Sequence, residues 1–147
     1  MTEPDLIVQD ATAQAALARS GEVSGRELTA LTLERIDQLD PTINAFRCAR
    51  VDTALREAEA IDARFGDDWR GDRLLLGVPV AIKDDTDVAG DVTAWGSAAP
   101  RPAAKVDAEV VARLRAAGAV VIGKTNVPEL TLWPWTASSH WGTTRNP

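Results

Sequence analysis

The chain has 147 residues, 45% of them hydrophobic and 26% charged, and carries a formal net charge of −6. That length supports one domain with a core of its own, and the acidic balance excludes the broad basic surface that nucleic acid or an anionic membrane requires. One cysteine, Cys48, and one histidine, His140, exclude an intrachain disulfide and leave too few ligands for a cysteine–histidine zinc site.

The opening stretch, MTEPDLIVQD, is acidic and does not read as a signal peptide, and no segment approaches the ~18 apolar residues of a membrane span. The expectation is a cytoplasmic protein without metal or cofactor. Residues 1–66 read as a helical region. DATAQAALARSG runs from a cap at Asp10 to Gly21, a natural C-terminal stop. Ser24 and Glu27 form a capping box, behind which Leu28, Leu31, Ile36 and Leu39 keep helical spacing until Pro41 is expected to close the segment. A third helix places Val51, Ala54, Leu55, Ala58, Ile61 and Phe65 on one face and is expected to end before Gly66. GDDWRGDR follows as a polar loop.

From residue 74 the pattern changes. LLLGVPVAI, residues 74–82, is short and β-branched at its end, so it reads as a buried strand. Pro79 cannot donate to a sheet ladder, which suggests a start near Val80 or a bulge. A Gly- and Pro-rich loop leads to AEVVARLRAAG, a helix expected to be capped by Asp107 and stopped by Gly118. AVVIG then reads as a second buried strand. Strand, helix, strand implies a parallel pair joined by a right-handed crossover. The fold class is therefore α/β: a helical N-terminal layer followed by the first strands of a mixed or parallel sheet with crossover helices. The whole reads as a single domain over 1–147, with the α/β core starting at 74; that it is incomplete is implied only by the resemblance below.

Lys83 ends the first strand and is followed at once by Asp84, Asp85 and Asp87. One reading is a cation snorkelling where the strand leaves the core. The other is an amine carried to the C-terminal edge of a parallel sheet, where ligand crevices form; a partly desolvated lysine there can act as a base or a Schiff-base nucleophile, while the nearby carboxylates of Asp84, Asp85 and Asp87 favour its ammonium form. GKT at 123–125 lacks the phosphate-cradling loop of a P-loop, because apolar AVVI separates Gly118 from Gly123. Lys124 and Asn126 are expected to organise their turn through hydrogen bonds instead. TLWPWTASSHWGTTRNP holds Trp133, Trp135 and Trp141 and could line an apolar pocket or form a packed surface loop. His140 close to Ser138 and Ser139 in sequence is no evidence for a dyad in space.

Three stretches taken together, GVPVAIKDDTDVAG, VVARLRAAGAVVIGKTNVPEL and GTTRNP, resemble the amidase signature family in order and separation, across residues 74–147. The resemblance implies that neutral Lys83 is the base of a Ser–cis-Ser–Lys triad that hydrolyses carboxamides through an acyl-serine. It also implies that the glycine/serine-rich stretch bearing the bridging serine follows TRNP, so that both triad serines are missing from this chain. Ser138 and Ser139 do not take their place. Asp85 stands where many members have Asn, and Ala137 and Ser138 replace a Glu-Asn pair common in the amidotransferase branch. LWPWT replaces a small Gly/Ser-rich turn in that branch, which makes Leu132, Trp133 and Pro134 the substrate-binding candidates. The expected partners are a small-molecule amide in the complete enzyme and at most a second copy in a homodimer, with no nucleic acid and no membrane. The expectation is the N-terminal part of an amide hydrolase, inactive alone. The alternatives are a fragment of the glutaminase-type subunit of an amidotransferase, or a non-catalytic remnant or interaction module.

Overall fold

The computed structural model describes residues 6–64 and 73–147. Helix α1 spans Ala11–Ser20, with the Asp10 carboxylate accepting from the Ala13 amide at 2.9 Å and Gly21 closing it in the left-handed region. Helix α2, Gly25–Ile43, starts at Ser24, whose hydroxyl accepts from the Glu27 amide at 3.0 Å. This helix does not stop at Pro41. The proline sits inside the last turn, where its missing N–H removes one ladder bond, and the helix continues to Asn44, which adopts φ 55° and donates to the Asp40 carbonyl. The Asp40 carboxylate then accepts from the amides of Ala45 and Phe46 and turns the chain into a strand.

That strand, β1 at Phe46–Ala49, was not anticipated. Helix α3 follows at Val51–Asp62; Phe65 and most of the polar loop after it lie outside the described residues. Strand β2 runs only over Pro79–Lys83, because residues 74–77 form a turn and not a strand. Its register against the neighbouring strand slips between Val80 and Ala81, which is the irregularity Pro79 foretold. Helix α4, Glu109–Ala116, is not capped by Asp107. Asp107 instead accepts from the Ala89 amide at 2.7 Å and pairs with Arg115 at 3.0 Å, so its carboxylate is already committed.

Strand β3, Val120–Thr125, is central: the sheet order is β1-β3-β2, with β1 antiparallel and β2 parallel to it. Both faces of β3 are covered. Val120 and Ile122 pack with Leu33, Ala54 and Ala58 of α2 and α3, while Val121 packs with Ile82, Val88 and Val111 on the α4 side. Two-sided burial explains why its sequence is a continuous apolar run rather than an alternation. A short 3-10 turn at Glu129–Thr131 and a two-stranded hairpin, β4 at Ala137–Ser138 and β5 at Gly142–Thr143, complete the described elements.

Gly96 fixes the loop between β2 and α4 against the segment leaving β3. Its φ is +68°, and a Cβ there would stand 2.6 Å from the carbonyl oxygens of Val127 and Pro128. Both obstacles are backbone, so Gly96→Ala should lower the unfolding free energy by about 1–3 kcal/mol. Urea denaturation reads this directly as a lower midpoint at unchanged slope.

Candidate active site

Lys83 is the last residue of β2, at the C-terminal end of the parallel pair with β3. Its Nζ lies 2.8 Å from the Asp85 carboxylate. The partly desolvated setting that would suit a base is not provided by this segment, since the Lys83 side chain is 58% exposed. Asp85 also accepts from the Thr86 hydroxyl at 3.0 Å. Burial pushes the Asp85 carboxyl up, but the Lys83 ammonium and the Thr86 hydroxyl outweigh burial and hold it below its ordinary value.

A depressed carboxyl stabilises the fold fully above its unfolded value of about 4, and that stabilisation is lost as pH falls through the lower folded value. Asp85→Asn should therefore melt below the parent chain at neutral pH, with the gap closing as the solution is acidified below about pH 4. Thermal melts across the acid range check this; a gap that stays constant with pH would contradict it.

Beneath Lys83 lies a buried cluster of charge. Asp84, 1% exposed, meets Arg47 of β1 at 2.8 Å and Lys124 of β3 at 3.3 Å, and accepts from the Ala94 amide at 3.2 Å. Lys124 is completely buried and donates to the Thr86 carbonyl at 2.6 Å and the Thr93 hydroxyl at 3.1 Å. Arg47 also donates to the Val92 carbonyl at 2.7 Å, and its guanidinium sits 5.7 Å over the Trp141 ring. Lys124 was expected to hold its own turn; it holds the turn after β2. Asn126 likewise does not bond within its own turn: its side chain donates to the Asn44 carbonyl at the end of α2 at 3.0 Å.

The Trp-rich loop is anchored to the same place. The Trp95 amide donates to the Asp84 carbonyl, and the Trp95 carbonyl accepts from the Leu130 amide at 2.8 Å. Leu130 and Thr131 both take positive φ, 52° and 58°, strained for residues with side chains. Beyond them Leu132 and Trp133 are 71% and 58% exposed, Pro134 is also exposed, and Trp133 stacks on Trp135 at 5.5 Å. The structure thus joins the base of this loop to the base of the Lys83 turn but leaves its tip facing solvent. Ser138 donates to the Gly96 carbonyl and accepts from the amides of His140 and Trp141, a hairpin-holding role. The His140 ring packs edge-on against Trp141.

Asp85, Thr86, Asp87, Trp95, Arg101 and Glu109 border an open cleft of about 630 Å³ whose lining does not include Lys83. Among the described residues no group of three or more His, Cys, Asp or Glu side chains could hold a metal ion, and no helix is long and apolar enough to cross a membrane. The residue that sequence reasoning missed is Arg47. Its signal, an arginine in a short apolar stretch, gains meaning only once β1 is paired with β3.

A family model described as Amidase matches residues 27–147. AmiB2 of Mycobacterium tuberculosis, a protein carrying an amidase name, is 52% identical over 148 aligned residues, covering all of this chain and 31% of AmiB2. A glutamyl-tRNA(Gln) amidotransferase protein of Acidothermus cellulolyticus is 41% identical over 146 residues, covering 97% of this chain and 28% of that protein. The crystal structure of the peptide amidase from Stenotrophomonas maltophilia superposes with a TM-score of 0.85 at 35% identity, over 99% of this chain and 31% of the enzyme. The chain thus spans under a third of the length of these relatives. With a match running through the sheet, the Lys83 turn and the Trp-rich loop, the chain belongs to the amidase family.

Proposed function

We propose that this chain is the N-terminal part of a carboxamide hydrolase and contributes its base, Lys83. The observation that carries the reading is the place of Lys83: the amine ends a strand of the parallel pair, at the carboxyl edge of the sheet, beside a turn linked through Trp95 to Leu130 at the start of the Trp-rich loop. In the complete enzyme the uncharged amine takes a proton from a bridging serine, which in turn takes one from the nucleophilic serine. The nucleophile's oxygen bonds to the amide carbon, the C–N bond breaks, and the proton passes to the departing nitrogen. Water then cleaves the acyl ester. A serine is a weak nucleophile at its free pKa, so an adjacent base is what this chemistry needs. Leu132, Trp133 and Pro134 would face the acyl group, and their apolar, aromatic character favours apolar or aromatic acyl substrates. The backbone strain at Leu130 and Thr131 supports a functional reading of that loop. The higher identity to AmiB2 supports a hydrolase over a glutaminase-type amidotransferase.

The test compares two purified proteins on simple aliphatic and aryl amides. The polypeptide that carries this segment together with both serines should hydrolyse them and lose the activity on Lys83→Ala. The 147-residue chain alone should not. Hydrolysis by that chain, abolished by Lys83→Ala, would contradict the absence of a nucleophile within it.

A further inference from the structure

Lys124 is a fully buried cation for which the reaction above has no use. An ammonium has three N–H groups, and here three acceptors surround it: the Thr86 carbonyl at 2.6 Å, the Thr93 hydroxyl at 3.1 Å and the Asp84 carboxylate at 3.3 Å. Each acceptor belongs to the segment that follows β2. Lys124 itself is on β3, so this one side chain fastens the central strand to the turn at 84–87. Arg47 grips the same turn from β1 through Asp84. On top of that turn, Thr86 donates to Asp85 and Asp85 pairs with Lys83. Buried ion pairs contribute little net stability compared with apolar residues of like volume, so stability alone does not account for this one.

We propose that Lys124, together with Asp84 and Arg47, is a positioning group for the Lys83–Asp85 pair, setting the 84–87 turn from below so that the amine is held at one place on the sheet edge. Lys124 touches no substrate in this scheme; it acts through Thr86 and Asp84. The inference rests on Lys83 being the base, yet the geometry it concerns is present in this chain and is measurable without any substrate. Failure of the positioning idea and failure of the base assignment therefore show in different experiments.

The experiment is a carboxyl titration of Asp85 by NMR in the folded 147-residue chain, in the parent and in Lys124→Met. The groups that face Asp85 are Lys83 and Thr86 on its own turn, with Asp87, Arg101 and Glu109 around the cleft. Lys124→Met removes none of them. If Lys124 positions the turn, the Asp85 midpoint rises toward its ordinary value and the Thr86 amide exchanges about tenfold faster or more, while far-UV circular dichroism stays native. A folded Lys124→Met with the Asp85 midpoint unmoved overturns the proposal, because a merely structural role changes stability and leaves that midpoint alone. Should Lys124→Met fail to fold, Thr93→Val decides: it removes one acceptor at nearly constant volume and should move the midpoint in the same direction by less. An unmoved midpoint there overturns the proposal equally.

Discussion

Replacing Asp84 with Ala should cost about 3–5 kcal/mol of unfolding free energy, the largest loss expected from a single side chain outside the apolar core. The carboxylate is 1% exposed and is the anion between two cations, Arg47 at 2.8 Å and Lys124 at 3.3 Å. Truncation leaves both cations in a low-dielectric interior without their counter-charge, and Lys124 has no solvent to turn to. It also strands the Ala94 amide. Against a typical total of about 5–15 kcal/mol for a whole domain, such a loss brings the chain close to unfolding at room temperature. Urea denaturation followed by circular dichroism measures it, and a cost below about 1 kcal/mol would mean the cluster behaves like an exposed pair. A double-mutant cycle sharpens the point. Removing Lys124 as well, in Asp84→Ala with Lys124→Met, takes away one of the two stranded charges. The double variant should therefore be less destabilised than the sum of the two single changes.

The same cluster shows what could and could not be read from the sequence. The helices α1 and α2 announce themselves through Asp10, Ser24 and Gly21, because a cap acts within a few residues of the chain it caps. Strand β3 was legible because burial on both faces leaves a continuous apolar run. Strand β1 was not. FRCA has only four residues, contains an arginine and follows a helix that Pro41 was expected to end earlier, so the sequence carries no periodicity long enough to assign it. What makes it a strand is pairing with β3 and the burial of Arg47 against Asp84, a partner 37 positions away in sequence. Asp107 fails for the complementary reason: its cap geometry is locally plausible, but Ala89 and Arg115 compete for the carboxylate and win. The strand-end position of Lys83 leaves two readings open, and only the family resemblance selects the base. Lys124 reads from the sequence as part of the turn after AVVIG, whereas it lies on β3, and its bonds to the turn after β2 become visible only when parallel pairing puts β3 beside that turn. Single residues with a short-range signal are legible; charges that need a distant counter-charge are not.

On the proposed role of Lys83 as base, Lys83→Ala should lower kcat by about 10²–10⁴-fold in a polypeptide that carries both serines, the usual contribution of a positioned general base. The Lys83 side chain reaches out from the sheet edge, 58% exposed within this segment, and makes its ion pair with the neighbouring Asp85 rather than with the buried cluster. Its removal therefore disturbs little of the core, and the variant should melt within about 0.5 kcal/mol of the parent, as surface substitutions usually do. That separation of activity from stability distinguishes Lys83 from Asp84, where both fall together. Because a base acts on the transition state and not on bound substrate, kcat and kcat/KM should drop in parallel, with KM nearly unchanged. Lys83→Arg supplies the decisive contrast. Arginine keeps the positive charge and the ion pair to Asp85, but its guanidinium does not give up its proton in a protein. If Lys83 serves as a base, Lys83→Arg is as inactive as Lys83→Ala. If its charge alone were what the site required, Lys83→Arg would retain most of the activity, and the role assigned to the amine would have to be given up.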